Sequence, residues 1–209
     1  MKLLVLGATG GTGRHVVMQA LEQGHQATAI VRDPARLSVA SDRLRVVTGN
    51  VTADDSAVVT AMQGQDAVIS TLGVGKSFAS GGLIAAAMPH IVRAMQGAGV
   101  RRLIVTSAFG VGETFRDAPL VPRIFIRTLL RNVYRDKEAG EAVVRATDLV
   151  WTIVHPTGLT DGAATGTCRA GERLALRGFP TIARADVAAF LLKQVEDTTY
   201  IRKSVLISS

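Results

Sequence analysis

The feature that most constrains this chain is the run Gly7-Ala8-Thr9-Gly10-Gly11-Thr12-Gly13. It follows a short apolar segment, Lys2–Leu6, and leads into residues 13–23, where Val16, Val17, Ala20 and Leu21 recur at the spacing of one helix face. In a strand–loop–helix context, glycines admit positive φ and let the backbone approach a pyrophosphate. The helix that follows offers unpaired N–H groups and a positive dipole end. The spacing is G-x-x-G-x-x-G rather than G-x-G-x-x-G, but the physical requirement is the same. Gly7, Thr9, Gly10, Gly11, Thr12 and Gly13 are therefore candidate dinucleotide-binding residues.

The rest of the chain keeps the alternation that this opening implies. Strand-like runs are read at 26–31, 44–48, 67–71, 102–106, 149–154 and 205–207, and helices at 54–62, 83–96, 122–145 (with a break near Asn132) and 185–195. Strands apolar almost throughout predict a parallel sheet covered on both faces. The expected fold is α/β, a single-domain Rossmann-like doubly wound parallel sheet over residues 1–209. Segments at about 73–82, 108–121 and 157–183 read as substrate-site loops.

Composition narrows the function classes. With 209 residues, 47% hydrophobic and 20% charged, the chain can bury one sizeable core and is not disordered. The longest uncharged stretch, 77–92, is interrupted by Gly81, Gly82 and Pro89, so no membrane span is expected. The N-terminus reaches Gly7 too soon for an export signal, and Cys168 is the lone cysteine, so the expected compartment is the cytoplasm. The histidines (His15, His25, His90, His155) show no ligand spacing, and no metal site is expected. The 24 basic residues against 17 acidic give a net charge of +7. That charge suits nucleic acid, a membrane surface or a small anionic ligand, composition alone forces none of them, and no nucleic-acid module accompanies it. Arg123, Arg127, Arg131 and Arg135 form a stripe at helical spacing, which reads either as a solvated face or as a funnel for phosphates or an acidic partner.

The end of the second strand chooses between the dinucleotides. An acidic residue there binds the ribose 2′-hydroxyl, whereas Arg accommodates a 2′-phosphate. Arg32 and Arg36 favour NADP (as NADPH), and Asp33 is the rival feature. Ligands of open α/β sheets sit beyond the carboxyl ends of the strands. That rule adds Asn50 and Val51 toward the adenine, and Thr71, Leu72, Gly73, Ser107, Pro156, Thr157, Gly158 and Leu159 toward the other end.

The segments GATGGTGRHVV, VRDPARL, GNV, DAVISTLG, VTSAFG, DLVWTIVHPTGLTDG and ARADVAAFLL occur in this order. Through them the chain resembles the atypical short-chain dehydrogenase/reductase families that bind NAD(P)H. Within these it is most similar to the flavin reductase/biliverdin reductase B group and its bacterial relatives. The resemblance implies a nicotinamide cofactor and a planar hydride acceptor: FMN or FAD as substrate, a quinone or a tetrapyrrole. It also implies that Ser107 sits beside the nicotinamide, that Arg32 and Arg36 hold the 2′-phosphate, and that residues 156–159 line the nicotinamide. The sequence departs from the pattern at His155-Pro156-Thr157, where relatives often carry Arg-Pro-Gly. Gly158 stands where the biliverdin reductase B subgroup has histidine, which weighs against a tetrapyrrole.

Classical members of the wider family reduce carbonyls with Ser, Tyr and Lys, the last two spaced Tyr-x-x-x-Lys. This chain has Tyr134-Arg135-Asp136-Lys137, one residue short, which moves the lysine by about 100° around a helix. Ser107 and Tyr134 are the candidate catalytic residues, Tyr134 with a helix-surface position as its alternative. Flavin reduction makes smaller demands, because solvent can supply the protons and the protein mainly orients two rings. Phe78, Phe109, Phe115 and Phe179 are candidate floor residues for such a ring, with a place in the core as the favoured alternative for each. The leading expectation is an NADPH-dependent reductase with a small planar acceptor, acting as a monomer or homodimer. The alternatives are a non-catalytic NAD(P)-sensing regulator of NmrA type and a nucleotide-sugar epimerase-like enzyme.

Overall fold

The computed structural model describes residues 1–75, 81–112, 114, 130–176 and 178–209. Its central sheet has eight strands in the order β3-β2-β1-β4-β5-β6-β10-β8. These strands are β1 (Lys2–Leu6), β2 (Gln26–Val31), β3 (Leu44–Thr48), β4 (Ala67–Ser70), β5 (Arg102–Thr106), β6 (Val150–Pro156), β8 (Arg169–Gly171) and β10 (Lys203–Ser208). All neighbours pair in parallel except β10 with β8. The Rossmann-like α/β architecture is thus present, with one antiparallel strand at its edge. Residues 157–183, expected to be irregular, instead contain three short strands. Two of them, β7 (Gly158–Thr160) and β9 (Thr181–Ala183), pair with each other as a separate two-stranded clip.

The helices are α1 (Gly11–Glu22), α2 (Asp55–Met62), α3 (Leu83–Ala98), α4 (Arg131–Arg145) and α5 (Arg184–Lys193). They divide the core in two. On one face, Val16, Val17 and Ala20 of α1 and Val187, Ala188 and Leu191 of α5 pack on Leu3, Val5 and Ala29. On the other, Val58 of α2, Met88 and Ile91 of α3 and Val144 of α4 pack on Leu4, Leu6, Val68 and Leu103. Strands with both faces covered bury every other side chain to either side, which explains their near-continuous apolar sequence. The edge strands β3 and β8 are the exceptions, with no fully buried residue in either.

Helix ends follow local chemistry. α2 begins at Asp54, whose carboxylate accepts from the Ala57 N–H at 3.0 Å. α3 ends at Gly99, held left-handed at φ 71°, with the Val100 N–H returning to the Met95 carbonyl at 2.9 Å. Asn132, the expected break, lies inside α4 one residue after its start. The part of the expected 122–145 helix before Leu130 falls outside the described residues, as do Arg123, Arg127, Phe78 and Phe115.

Candidate functional site

The carboxyl ends of β3, β2, β1, β4, β5 and β6 lie side by side, and every candidate site residue lies at or just beyond one of them except Tyr134, which α4 carries. The glycine loop sits at the centre. Gly7 has φ 81°, and a Cβ there would come within 2.7 Å of the Thr71 carbonyl oxygen. A Cβ on Gly13 would come within 2.1 Å of the Gly7 carbonyl oxygen. The loop therefore folds so tightly on itself and on β4 that only hydrogen fits at either position. Gly10 serves as the N-cap of α1 without any side-chain cap bond, and the first turn of α1 carries no acidic residue. The positive end of α1 thus points out of the fold without a counter-charge from its own turn. Thr12 is buried with the loop, and Thr9 is half-buried.

Thr71 acts on the loop. Its Oγ1 donates to the Leu6 carbonyl at 2.9 Å and lies 3.3 Å from that of Gly7. Leu72 is half-buried against the α2–α3 core, and Gly73 is open to solvent. The expected adenine side looks different from its sequence reading. Asn50 Oδ1 accepts from the Thr52 N–H (3.2 Å) and hydroxyl (2.9 Å), closing its own turn. Val51 is 8% exposed and packs into the core with Ile30 and Val58.

At the end of β2, Arg32 and Arg36 are both exposed, and neither enters an ion pair among the described residues. Asp33 caps the short 3-10 turn Pro34–Arg36, its Oδ1 accepting from the Ala35 N–H at 3.1 Å. The carboxylate is exposed, and its second oxygen has no hydrogen bond among the described residues.

The β5 side holds a buried polar network that sequence reasoning reached only in part. Ser107 is 6% exposed, and its hydroxyl donates to Glu141 Oε1. Glu141 is 4% exposed, with Oε2 paired to Arg145 Nη2 at 3.0 Å. His155 is 1% exposed, with Nδ1 at 3.0 Å from the Ala108 carbonyl and Nε2 at 3.5 Å from Glu141 Oε1. A carbonyl only accepts, so Nδ1 carries the proton. Burial holds the imidazole below its ordinary pKa, with the Glu141 carboxylate acting against it.

Tyr134 is half-buried rather than on the surface of its helix, and its hydroxyl donates to the Phe109 carbonyl at 2.9 Å. Burial pushes its pKa up to about 12. Lys137 reaches the same region, with Nζ 3.4 Å from the Ser107 carbonyl. Desolvation lowers its pKa, while Glu141 and Asp136 act to raise it. The shortened spacing therefore does not separate Tyr134 from Lys137, since residues three apart are also neighbours on a helix. Both bind backbone carbonyls that follow β5.

Glu141 was missing from the sequence reading. The signal was available: Val133, Asp136, Gly140, Glu141 and Val144 form the buried stripe of α4, and two of them are acids. The other acid, Asp136, caps the neighbouring helix. Its oxygens accept from the Ile84 N–H (3.1 Å) and the Ala85 N–H (2.8 Å) at the start of α3. Arg131 and Arg135, from the expected stripe, are exposed on the outer side of α4.

On the β6 side, Pro156 is buried and Thr157 is 3% exposed. The Thr157 N–H bonds Ile207 of β10, and its hydroxyl donates to Ser208 at 3.3 Å, so this side chain belongs to the sheet. Gly158 and Leu159 are exposed in β7. Phe179, 76% exposed, precedes the clip's second strand. Partial desolvation and the neighbouring Asp186 charge raise the thiol of the exposed Cys168 to about 11, which does not suit a nucleophile.

A dinucleotide fits these residues. The glycine cradle leaves backbone alone at the turn, an uncapped helix end faces outward, and two free guanidiniums stand at the end of β2. Comparison with known proteins points the same way. An uncharacterised sugar epimerase, YhfK of Bacillus subtilis (strain 168), is 27% identical over 94% of this chain and 89% of its own length. The anaerobillin reductase ChuY of Escherichia coli O157:H7 superposes with a TM-score of 0.82 at 23% identity, covering 99% of this chain and 96% of its own. A putative NAD-dependent epimerase/dehydratase from Bacillus halodurans gives 0.81 at 22% identity, covering 100% and 94%. Residues 7–198 match the model of the NAD(P)H-binding family, and the chain belongs to that family.

Proposed function

We propose that this protein is an NADPH-dependent oxidoreductase whose acceptor is a flavin or a similar planar molecule. One observation carries the reading. The only tyrosine near the strand ends donates its proton to the Phe109 carbonyl and is held at a pKa of about 12. A carbonyl reductase or an epimerase of this fold needs a tyrosine free to exchange its proton. An acceptor that takes its protons from solvent does not. The cofactor, when bound, supplies hydride from its reduced nicotinamide.

The chain's own residues then bind and orient. Gly7, Gly10 and Gly13 keep side chains out of the turn, so that backbone N–H groups can face the pyrophosphate. Arg32 and Arg36 attract the 2′-phosphate, while one oxygen of Asp33 caps its own turn. Ser107 donates to Glu141, so its oxygen remains available as an acceptor toward an N–H of the carboxamide. Leu159 and Phe179 provide exposed apolar surface beside the strand ends for a planar ring. The likeness to an anaerobillin reductase supports a reductase reading, whereas the Gly158 substitution argues for a flavin rather than a tetrapyrrole.

The test is steady-state oxidation of NADPH and NADH, side by side, with FMN as acceptor. Turnover with NADPH preferred is the expected result. Preference for NADH would overturn the roles of Arg32 and Arg36. Saturable binding with no oxidation of any planar acceptor would favour the second reading, a dinucleotide sensor of NmrA type, which the committed Tyr134 hydroxyl also suits.

A further inference from the structure

Arg184 opens α5, yet its side chain lies on α1. A Cβ built on Gly11 would come within 2.7 Å of Arg184 Cδ and 2.8 Å of Nε. The arginine stem therefore crosses the backbone of the first residue of α1, at the edge of the glycine loop. The two helices are fixed to each other at this point, since Gln19 Nε2 of α1 donates to the Ala185 carbonyl at 3.0 Å. The backbone of Arg184 is thereby held beside the start of α1, and its side chain reaches across from there.

The electrostatics of this placement are unfavourable on their own. The N-terminus of α1 has no side-chain cap and no acid in its first turn. A guanidinium beside it sets like charge against like. What balances the pair is Asp161, whose Oδ1 lies 2.6 Å from Arg184 Nη1. Asp161 belongs to the segment after β7, and its side chain is 77% exposed against 22% for Arg184. That segment is anchored further on: Asp186 accepts from the N–H groups of Thr165 and Gly166 (about 3.0 Å each) and from the Thr165 hydroxyl (2.8 Å). A largely buried cation thus has an exposed anion as its partner. Exposed ion pairs of this kind are readily exchanged.

We propose that Arg184 is a pyrophosphate-binding residue and that Asp161 is its stand-in partner, displaced when the dinucleotide enters. An incoming pyrophosphate satisfies both positive groups at once, the helix end and the guanidinium. Asp161 is then a competitor that the cofactor must displace, and the 161–166 segment is released at its Asp161 end while Asp186 keeps hold of the other. The inference rests on the glycine loop holding the pyrophosphate, but it is independent of which acceptor is reduced.

The experiment is equilibrium titration of NADPH and of NADH into the wild-type chain, Arg184→Ala, Asp161→Asn and the double variant, with melting temperatures as a folding control. Arg184→Ala is expected to weaken both dinucleotides by the same factor, about tenfold to a hundredfold for one charged hydrogen-bonding group. Equal loss separates a pyrophosphate role from a 2′-phosphate role. Asp161→Asn is expected to tighten binding by about threefold, and that gain is expected to vanish in the Arg184→Ala background. Arg184→Ala binding within twofold of wild type overturns the proposal. So does an Asp161→Asn variant that binds more weakly, or one whose gain survives loss of Arg184. If the wild-type chain binds neither dinucleotide, the reading of the glycine loop fails instead.

Discussion

Glu141 shows how one buried carboxylate can organise a site without being exposed to it. It accepts from the Ser107 hydroxyl, pairs with Arg145 and faces the bare nitrogen of His155. Removing its charge frees the Ser107 proton to point elsewhere, so Ser107 becomes a donor where it had been an acceptor. Glu141→Gln is therefore expected to raise KM for the dinucleotide more than it lowers kcat, and Ser107→Ala is expected to do the same. Steady-state kinetics of both variants checks this, and a kcat collapse with KM unchanged would contradict it. Tyr134→Phe removes only a donor to the Phe109 carbonyl. It is expected to lower stability by about 1 kcal/mol and leave kcat within a few-fold. A loss of activity by several orders of magnitude would restore the tyrosine as a proton donor.

Elements made by local rules were readable, and those made by distant partners were not. The strand, glycine loop and helix from Lys2 to Glu22 follow from spacing because their periodicity lies in neighbouring residues, whereas the close fit of Gly7 on Thr71 and of Gly11 under Arg184 does not. The clip of β7 and β9 was not readable. Three-residue strands are too short for periodicity, and their pairing joins residues some twenty apart. Asp136 was hidden in a different way. It looks like a surface acid of α4, but it caps α3, a task no local pattern signals. Replacing it with alanine leaves two N–H groups without their acceptor and is expected to cost about 1–3 kcal/mol. Urea denaturation of Asp136→Ala measures this, and an unchanged midpoint would show that the cap is dispensable. Gly140→Val tests the same helix pair from its packing side, since a Cβ at Gly140 already comes within 2.5 Å of Ile84 Cγ2. It is expected to destabilise by about 1–3 kcal/mol.

For the whole molecule, the parallel Rossmann-like sheet was legible, whereas its antiparallel edge strand β8 depends on a pairing that the sequence does not announce. Global stability should also respond to pH through His155. Its folded-state pKa lies below the unfolded value of about 6.5. The unfolded chain therefore takes up a proton first as pH falls. This contribution is fully present above about pH 6.5 and is lost progressively below it. Melting temperature is expected to fall between about pH 6.5 and 5 in the wild type, and to fall less over that interval in His155→Asn. Equal slopes would remove His155 as the cause.

The last strand has a consequence for how the molecule comes into being. β10 lies against β6, and its Ile207 and Ser208 hold Thr157 at the wall of the site. A chain emerging from the ribosome can assemble β1 to β6 while β6 still lacks one neighbour. The glycine loop and the end of β2 are translated well before β10, which supplies the bonds that hold Thr157. A dinucleotide that engaged the glycine loop at that stage would stabilise the partial sheet, with Arg184 and α5 closing on the start of α1 afterwards.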